Sequence, residues 1–184
     1  MTDAALSPPK TPLVDGDLRL EPLGSRHGAD LDALANDPDV RRFTYVPLEP
    51  PAGFGPRWAA RYDEGWREGS RAGFAIRDGD GAFLGFVAFV QLDRDGRQGE
   101  IGYVVAPAGR GRGVATRALR LLTRWGFEEL GLERVELRID VVNTASEIVA
   151  ARAGYVRDGV LRSSYFKEGL RVDLGVWSRL ATDA

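Results

Sequence analysis

The segment most able to do chemistry runs from Tyr103 to Ala118, YVVAPAGRGRGVATRA. It reads as a strand, a glycine-rich turn and the opening of a helix. The first N–H groups of a helix have no intrahelical acceptor, and the helix dipole adds partial positive charge at the same end. Together these effects make an anion site suited to a pyrophosphate. Gly109, Gly111 and Gly113 carry no side chain, so an anion can come close to the backbone. Arg110 and Arg112 add charge, and a guanidinium can fork onto phosphate oxygens. Two better-known phosphate loops fail against this segment. A P-loop needs GxxxxGK followed by Ser or Thr, and that lysine is missing. A Rossmann GxGxxG opens a parallel βαβ unit, whereas Gly109-x-Gly111-x-Gly113 is spaced differently and follows an antiparallel pattern.

The elements that must position this turn follow from periodicity. Val14 to Leu23 alternates apolar and polar residues and reads as one strand, near an edge because of Pro22. Ser25 can cap a helix that Asn36-Asp37-Pro38 stops, with a short second turn over Asp39 to Phe43. Tyr45 to Pro56 holds four prolines and two glycines, so it reads as a loop. Arg57 to Glu68 is helical, with Trp58, Tyr62 and Trp66 on one face. That stripe fits core packing, and it also fits the wall of an acceptor pocket. Ala72 to Arg77, Ala82 to Leu92 and Gln98 to Val105 form an antiparallel meander, its first turn marked by Asp78-Gly79-Asp80-Gly81. Val114 to Leu130 is a long helix stopped by Gly131. A strand over Arg134 to Val141 and a helix from Asn143 to Gly154 follow. Tyr155 to Leu161 and Leu170 to Leu180 are the last strands. The class is α/β, of the mixed α+β kind.

Composition narrows the function. At 184 residues the chain can bury the core of one domain. A net charge of −2 leaves no electrostatic footprint for nucleic acid. The absence of cysteine excludes disulfides, thiolate nucleophiles and cysteine metal sites. His27 is the sole histidine, so a multi-histidine metal site cannot form within one chain, and no metal is expected. No apolar run approaches the roughly 20 residues of a membrane-spanning helix. Residues 1–12 carry three prolines and no signal-peptide core. The expectation is a flexible leader over 1–12 and a single domain over 13–184, in the cytoplasm, with neither membrane nor nucleic acid as partner.

Arg110-Gly111-Arg112-Gly113-Val114-Ala115 matches the R/Q-x-x-G-x-G/A signature, and in this the chain resembles the GNAT N-acetyltransferase superfamily. Glu100-Ile101-Gly102-Tyr103 lies ahead of it and Trp125-Gly126-Phe127 inside the helix. Asn143-Thr144-Ala145-Ser146 and Arg152-Ala153-Gly154-Tyr155 lie behind. This combination is similar to the RimJ/RimL branch, whose known members include acetyltransferases of ribosomal-protein N-termini. The resemblance extends over Leu13 to Leu180 in element order and is sharpest from Glu100 to Leu161.

The resemblance implies a mostly antiparallel seven-stranded sheet flanked by helices, with a splayed parallel pair at its centre, the fourth and fifth strands. It implies acetyl-CoA as cosubstrate. The pantetheine arm would lie as an added strand along the backbone of Tyr103, Val104 and Val105. The pyrophosphate would sit on the N–H groups of Gly111, Arg112, Gly113, Val114 and Ala115, with Arg110 adding charge. Asn143 would contact the arm. The implied reaction moves acetyl to a primary amine, in a small molecule or at a protein N-terminus, by direct attack through a tetrahedral intermediate. A homodimer is compatible with this architecture.

Such a reaction must take a proton from the amine, hold an oxyanion and let a thiolate leave. Glu100 is the candidate base, and backbone N–H groups near Val105 are candidates for the oxyanion. Strand alternation turns Glu100 away from Val105 unless a bulge intervenes. Relatives often carry a tyrosine acid seven residues past the asparagine, where this chain has Ala150. Ser146 is the substitute candidate, with Tyr155 and Tyr165 behind it. Ser146 also reads as a helix-start residue bonding locally. His27 reads as a surface or core residue. Phe43 and Tyr45 fit either packing or the acceptor site, and Arg171 with Asp173 fits either a surface pair or acceptor contacts. Two alternatives stay open: a non-catalytic acyl-CoA sensor of the same fold, motivated by Ala150, and a donor with a larger acyl group.

Overall fold

The computed structural model describes residues 5–183. Its strands are β1 (Leu13–Asp15), β2 (Leu18–Pro22), β3 (Ala72–Arg77), β4 (Phe83–Asp93), β5 (Gln98–Val105), β6 (Arg134–Asp140), β7 (Val156–Lys167) and β8 (Leu170–Leu180). They form one 8-stranded sheet in the order β1-β2-β3-β4-β5-β6-β8-β7. All neighbours are antiparallel except β5 and β6. The helices are α1 (Gly28–Ala35), α2 (Pro38–Phe43), α3 (Phe54–Glu68), α4 (Val114–Glu128) and α5 (Thr144–Arg152).

The eighth strand corrects the expected seven. Gly16 takes φ +58 within Asp15-Gly16-Asp17, which folds the single expected strand over Val14 to Leu23 into a hairpin. The fourth and fifth strands of the sequence reading are therefore β5 and β6. Two further boundaries move. Helix α3 starts at Phe54, inside the expected loop, behind Gly53 at φ +69. Strand β7 continues to Lys167 through two register shifts, and its turn places Glu168 and Gly169 at φ +49 and +84. Positive φ at both turn residues is the tight-hairpin geometry that matches strand twist. Residues 1–4 of the expected leader lie outside the described residues. Within the rest of it, Leu6 is buried and donates its N–H to the Trp66 carbonyl at 2.9 Å.

The sheet divides two cores. On one face α4 and α5 cover Ile76, Phe89, Ile101, Leu119, Leu122, Trp125, Leu137 and Ala150. On the other, α1 and α3 cover Leu31, Leu34, Tyr62, Phe86, Ala88 and Val104. The aromatic stripe of α3 is split between roles. Trp66 packs on Trp125 and Phe74 in the first core, while Trp58 meets Phe86 edge-on at 5.1 Å.

One feature of the sheet governs the site. β5 and β6 share register at only three pairs, Gln98↔Arg134, Gly99↔Val135 and Glu100↔Glu136. Beyond them β5 stays with β4 as far as Gly85↔Val105, and β6 stays with β8 as far as Asp140↔Leu174. Gly85 permits that close approach. A Cβ there would lie 2.1 Å from the Val104 carbonyl oxygen, and its φ of +136 suits only glycine.

Leu122 sits fully buried at the centre of α4, where it fixes the helix against the sheet. Leu122→Ala is expected to cost about 2–5 kcal/mol of stability by urea unfolding. A loss below about 1 kcal/mol would mean that α4 is not anchored through this residue.

Candidate active site

A groove of about 1190 Å³ passes through the parting of β5 and β6. Its lining on the α4/α5 side includes Gly111, Gly113, Val114, Ala115, Asn143 and Ser146. On the other side it includes Tyr45, Trp58, Phe86, Glu100 and Val104. One site thus has two approaches, one from each face of the sheet.

The glycine-rich turn lies at the first approach. Gly111 and Gly113 both adopt φ +72, and a Cβ built on either meets nothing within 4 Å. The backbone is therefore open to an incoming group. Gly113 is the N-cap of α4, and the first helical bond runs from Arg117 N–H to the Gly113 carbonyl. The N–H groups of Val114, Ala115 and Thr116 precede that bond and have no intrahelical acceptor. This is the open helix N-terminus that the sequence reading requires of an anion site.

The two arginines of the turn behave differently from that anticipation. Arg110 Nη2 lies 2.8 Å from Asp37 Oδ1, and its Nη1 lies 3.1 Å from Asp39 Oδ2. Its Nε donates to the Val105 carbonyl at 3.2 Å. Its charge is spent on the start of α2, where Asp37 also caps the helix by accepting from Asp39 and Val40 N–H. Arg112 donates to the Ala108 carbonyl at 3.3 Å and is exposed. Among the described residues, only Arg112 of the two keeps its charge free of a carboxylate beside the open N–H groups of the turn.

Tyr103 and Val105 face the α4/α5 core, while Glu100 and Val104 face the α1/α3 side. The bulge that shifts the β4–β5 register falls at Val90 of β4, so alternation along β5 is unbroken. Glu100 does point away from Val105. The parting of the strands resolves the difficulty, because both residues line the same groove from opposite faces.

Glu100 has 21% of its side chain exposed, and Arg138 Nε lies 3.5 Å from its Oε2. Burial pushes its carboxyl above the ordinary glutamate range, and neighbouring Glu136 pushes the same way. Arg138 pulls it down, although that guanidinium is shared with Glu136 at 2.8 Å. A carboxylate raised toward neutrality is a better proton acceptor at physiological pH.

Asn143 caps α5 by accepting from Ser146 N–H at 3.1 Å while also lining the groove. Tyr103 donates its hydroxyl to the Ser146 carbonyl at 3.1 Å, and burial pushes the phenol up to about 12. This phenol was missed in the sequence, where Tyr103 was read only for its backbone. Its alternation with Ile101 and Val105 was the available signal. Ala150 is fully buried in the core and carries nothing to donate. Tyr155 is also buried, its hydroxyl 2.7 Å from Thr123 Oγ1, which leaves Tyr165 as the fallback donor that lines the groove.

The other candidates separate cleanly. Phe43, Tyr45 and Trp58 line the groove. His27 is buried beside Gly24 and Glu21, away from it. Arg171 and Asp173 both bond to the Ser163 backbone across the β7–β8 hairpin. Among the described residues there is no cluster of groups able to hold a metal ion, and no helix is long and apolar enough to cross a membrane.

Comparison with known proteins agrees with this geometry. Residues 17–156 match the model of the acetyltransferase (GNAT) domain. YdaF of Bacillus subtilis (strain 168), which carries a provisional ribosomal N-acetyltransferase name, is 34% identical over 125 residues, 68% of this chain. That match spans 66% of YdaF, just under two thirds of its length. The spermidine N(1)-acetyltransferase of Escherichia coli (strain K12) is 27% identical over 152 residues, 83% of this chain and 80% of its own. Among solved structures, RimL, a ribosomal L7/L12 α-N-protein acetyltransferase in complex with coenzyme A, superposes with a TM-score of 0.84 at 18% identity. That superposition covers 94% of this chain and 99% of RimL.

If the turn holds a pyrophosphate, Gly113→Asp puts negative charge beside it and lowers acetyl-CoA affinity at least about tenfold, or ~1.4 kcal/mol. Gly113→Ala imposes the same positive-φ strain without charge and is expected to lose less. Calorimetric titration of both folded variants reads the difference. Equal, unchanged affinities would place the cofactor elsewhere.

Proposed function

The chain belongs to the acetyltransferase (GNAT) domain family, and on that premise we propose that it transfers acetyl from acetyl-CoA to a primary amine through the groove between β5 and β6. It is an N-acetyltransferase enzyme that uses acetyl-CoA as cosubstrate. The observation that carries the proposed site is the parting of β5 and β6 beside the open N-terminus of α4. The residues present suit that cosubstrate. The edge from Tyr103 to Val105 has no strand partner on its β6 side among the described residues and, apart from the Val105 carbonyl that Arg110 holds, accepts an amide-bearing arm as a sheet accepts a strand. The turn from Gly111 to Ala115 offers N–H groups to the pyrophosphate, and Asn143 flanks the arm.

When bound, acetyl-CoA supplies an activated thioester. The chain's own groups do the rest. Glu100 takes a proton from the amine on the α3 side, directly or through a water. Backbone N–H groups near Val105 hold the developing oxyanion. The hydroxyl of Ser146 gives a proton to the leaving sulfur, since Ala150 has none to give. The Tyr103 phenol, neutral at working pH, positions Ser146 through its carbonyl. The acceptor is a protein N-terminus or a small amine, as in relatives named for ribosomal proteins or for spermidine. The cytoplasm is the proposed location, and a homodimer remains compatible with the fold. A second reading, an acyl-CoA sensor without turnover, is favoured only by Ala150.

Glu100→Gln separates the two readings. It is expected to lower kcat/KM about 10²-fold or more while acetyl-CoA affinity changes less than about threefold. The base must be deprotonated to act, and its pKa is raised. Wild-type activity should therefore fall as pH drops through a midpoint above the ordinary glutamate range, and the variant should lose that limb. Ser146→Ala should lower kcat with little change in KM. An unaltered rate and pH profile in Glu100→Gln would remove Glu100 from the mechanism. No turnover with any amine in the wild-type protein would favour the sensor.

A further inference from the structure

The α3 side of the groove is unequal in charge. Arg42, Arg57, Arg61 and Arg71 all line it. Among the described residues, none of the four has a carboxylate within ion-pair distance, whereas the acids beside them are already engaged. Asp39 is paired with Arg110, Glu100 lies against Arg138, and Asp140, the remaining acid of the lining, accepts from the Val142 N–H. Two of the four meet neutral groups. Arg42 lies over the Phe43 ring at 4.8 Å, and Arg71 Nε donates to the Val90 carbonyl at 3.1 Å.

Arg57 and Arg61 stand four apart on α3, each one position before Trp58 and Tyr62. Like charges at that spacing destabilise a helix. Trp58 and Tyr62 form the apolar stripe that packs on Phe86, so the two arginines flank it at the mouth of the groove. A cleft with an excess of one sign of charge concentrates ligands of the other sign and speeds their entry. An acceptor carrying extra positive charge would meet four uncompensated guanidiniums on its way to Glu100.

The cations also sit on three separate elements. Arg42 is at the end of α2, Arg57 and Arg61 are on α3, and Arg71 is just ahead of β3. Arg57 and Arg61, four residues apart on α3, are separated by about 6 Å along the helix axis, close to the roughly 7 Å of two residues of extended chain. A single carboxylate reaches one of them, while a chain with several carboxylates reaches more. We propose that the acceptor is the α-amine of an acidic peptide N-terminus, whose carboxylates just past the first residue lie against Arg42, Arg57, Arg61 and Arg71. This rests on the acetyl-transfer reading above and narrows its acceptor.

The test compares four acceptors with the full chain and acetyl-CoA, following thiol release. Two are hexapeptides with a free N-terminal serine, one rich in Asp and Glu after it and one rich in Lys. The others are free glutamate and spermidine. The acidic peptide is expected to exceed the basic peptide and spermidine at least about tenfold in kcat/KM, with the gap shrinking as salt rises. The double substitution Arg57→Glu with Arg61→Glu should narrow or reverse the preference and leave acetyl-CoA affinity unchanged. If that variant fails to fold, the salt series on the wild-type protein decides. Preference for the basic peptide or spermidine would overturn the acidic acceptor while leaving acetyl transfer intact. Free glutamate outperforming the acidic peptide would overturn the peptide assignment. Acetyl-CoA binding without turnover of any amine would defeat the acetyl-transfer reading itself.

Discussion

The structure depends on two parallel strands that part after three residues. β5 and β6 are held together from Gln98 to Glu100, and then each follows a different antiparallel partner. An unpaired strand edge inside a sheet leaves N–H and C=O groups that must find partners elsewhere. Here that edge lines a groove, where the proposed acetyl-CoA arm would meet those hydrogen bonds. Two local devices keep the strands apart. Gly85 lets β4 hold β5 out to Val105, and the bulge at Val90 absorbs the change of register on β4, leaving β5 regular. The same regularity puts Glu100 and Val105 on opposite faces, so a base on one side can serve a bond made at an opening reached from the other.

The electrostatics of the groove follow the same division. On the α4 side Arg110 is neutralised by Asp37 and Asp39, which leaves the backbone N–H groups, Arg112 and Arg152 to supply the positive potential. That pairing ties the glycine-rich turn to α2, whose end lines the opposite side of the groove. On the α3 side the potential comes from side chains. Lys167, at the tip of the long β7–β8 hairpin, donates to the Arg41 and Thr44 carbonyls at the end of α2, and Glu168 accepts from Leu48 N–H at 2.9 Å. Distant segments thus brace the wall that an acceptor must pass.

What was legible in the sequence was local. The turn from Arg110 to Ala115 announced itself because strand end, glycines and helix start are contiguous. The α4 and α5 helices, the three-strand meander and the helix stop at Gly131 were legible for the same reason. What escaped depended on partners far along the chain. The ion pairing of Arg110 escaped because Asp37 and Asp39, its partners, lie more than 70 residues earlier. The β1–β2 hairpin escaped because alternation runs almost unbroken across Asp15-Gly16-Asp17. The extra length of β7 escaped because two register shifts break its period of two. Trp58, Tyr62 and Trp66 were ambiguous for a physical reason, since one helical stripe faces both a core and a groove.

The most direct test of this account is a calorimetric titration of the purified protein with acetyl-CoA, with ATP as the comparison ligand. Both carry a phosphate chain and an adenine ring, but only acetyl-CoA has an arm to lay along Tyr103, Val104 and Val105. The account predicts saturable binding of acetyl-CoA in the micromolar range and binding of ATP at least about tenfold weaker, or ~1.4 kcal/mol. Equal affinities would mean that the parted strands contribute nothing. No binding of acetyl-CoA would contradict the account at its centre.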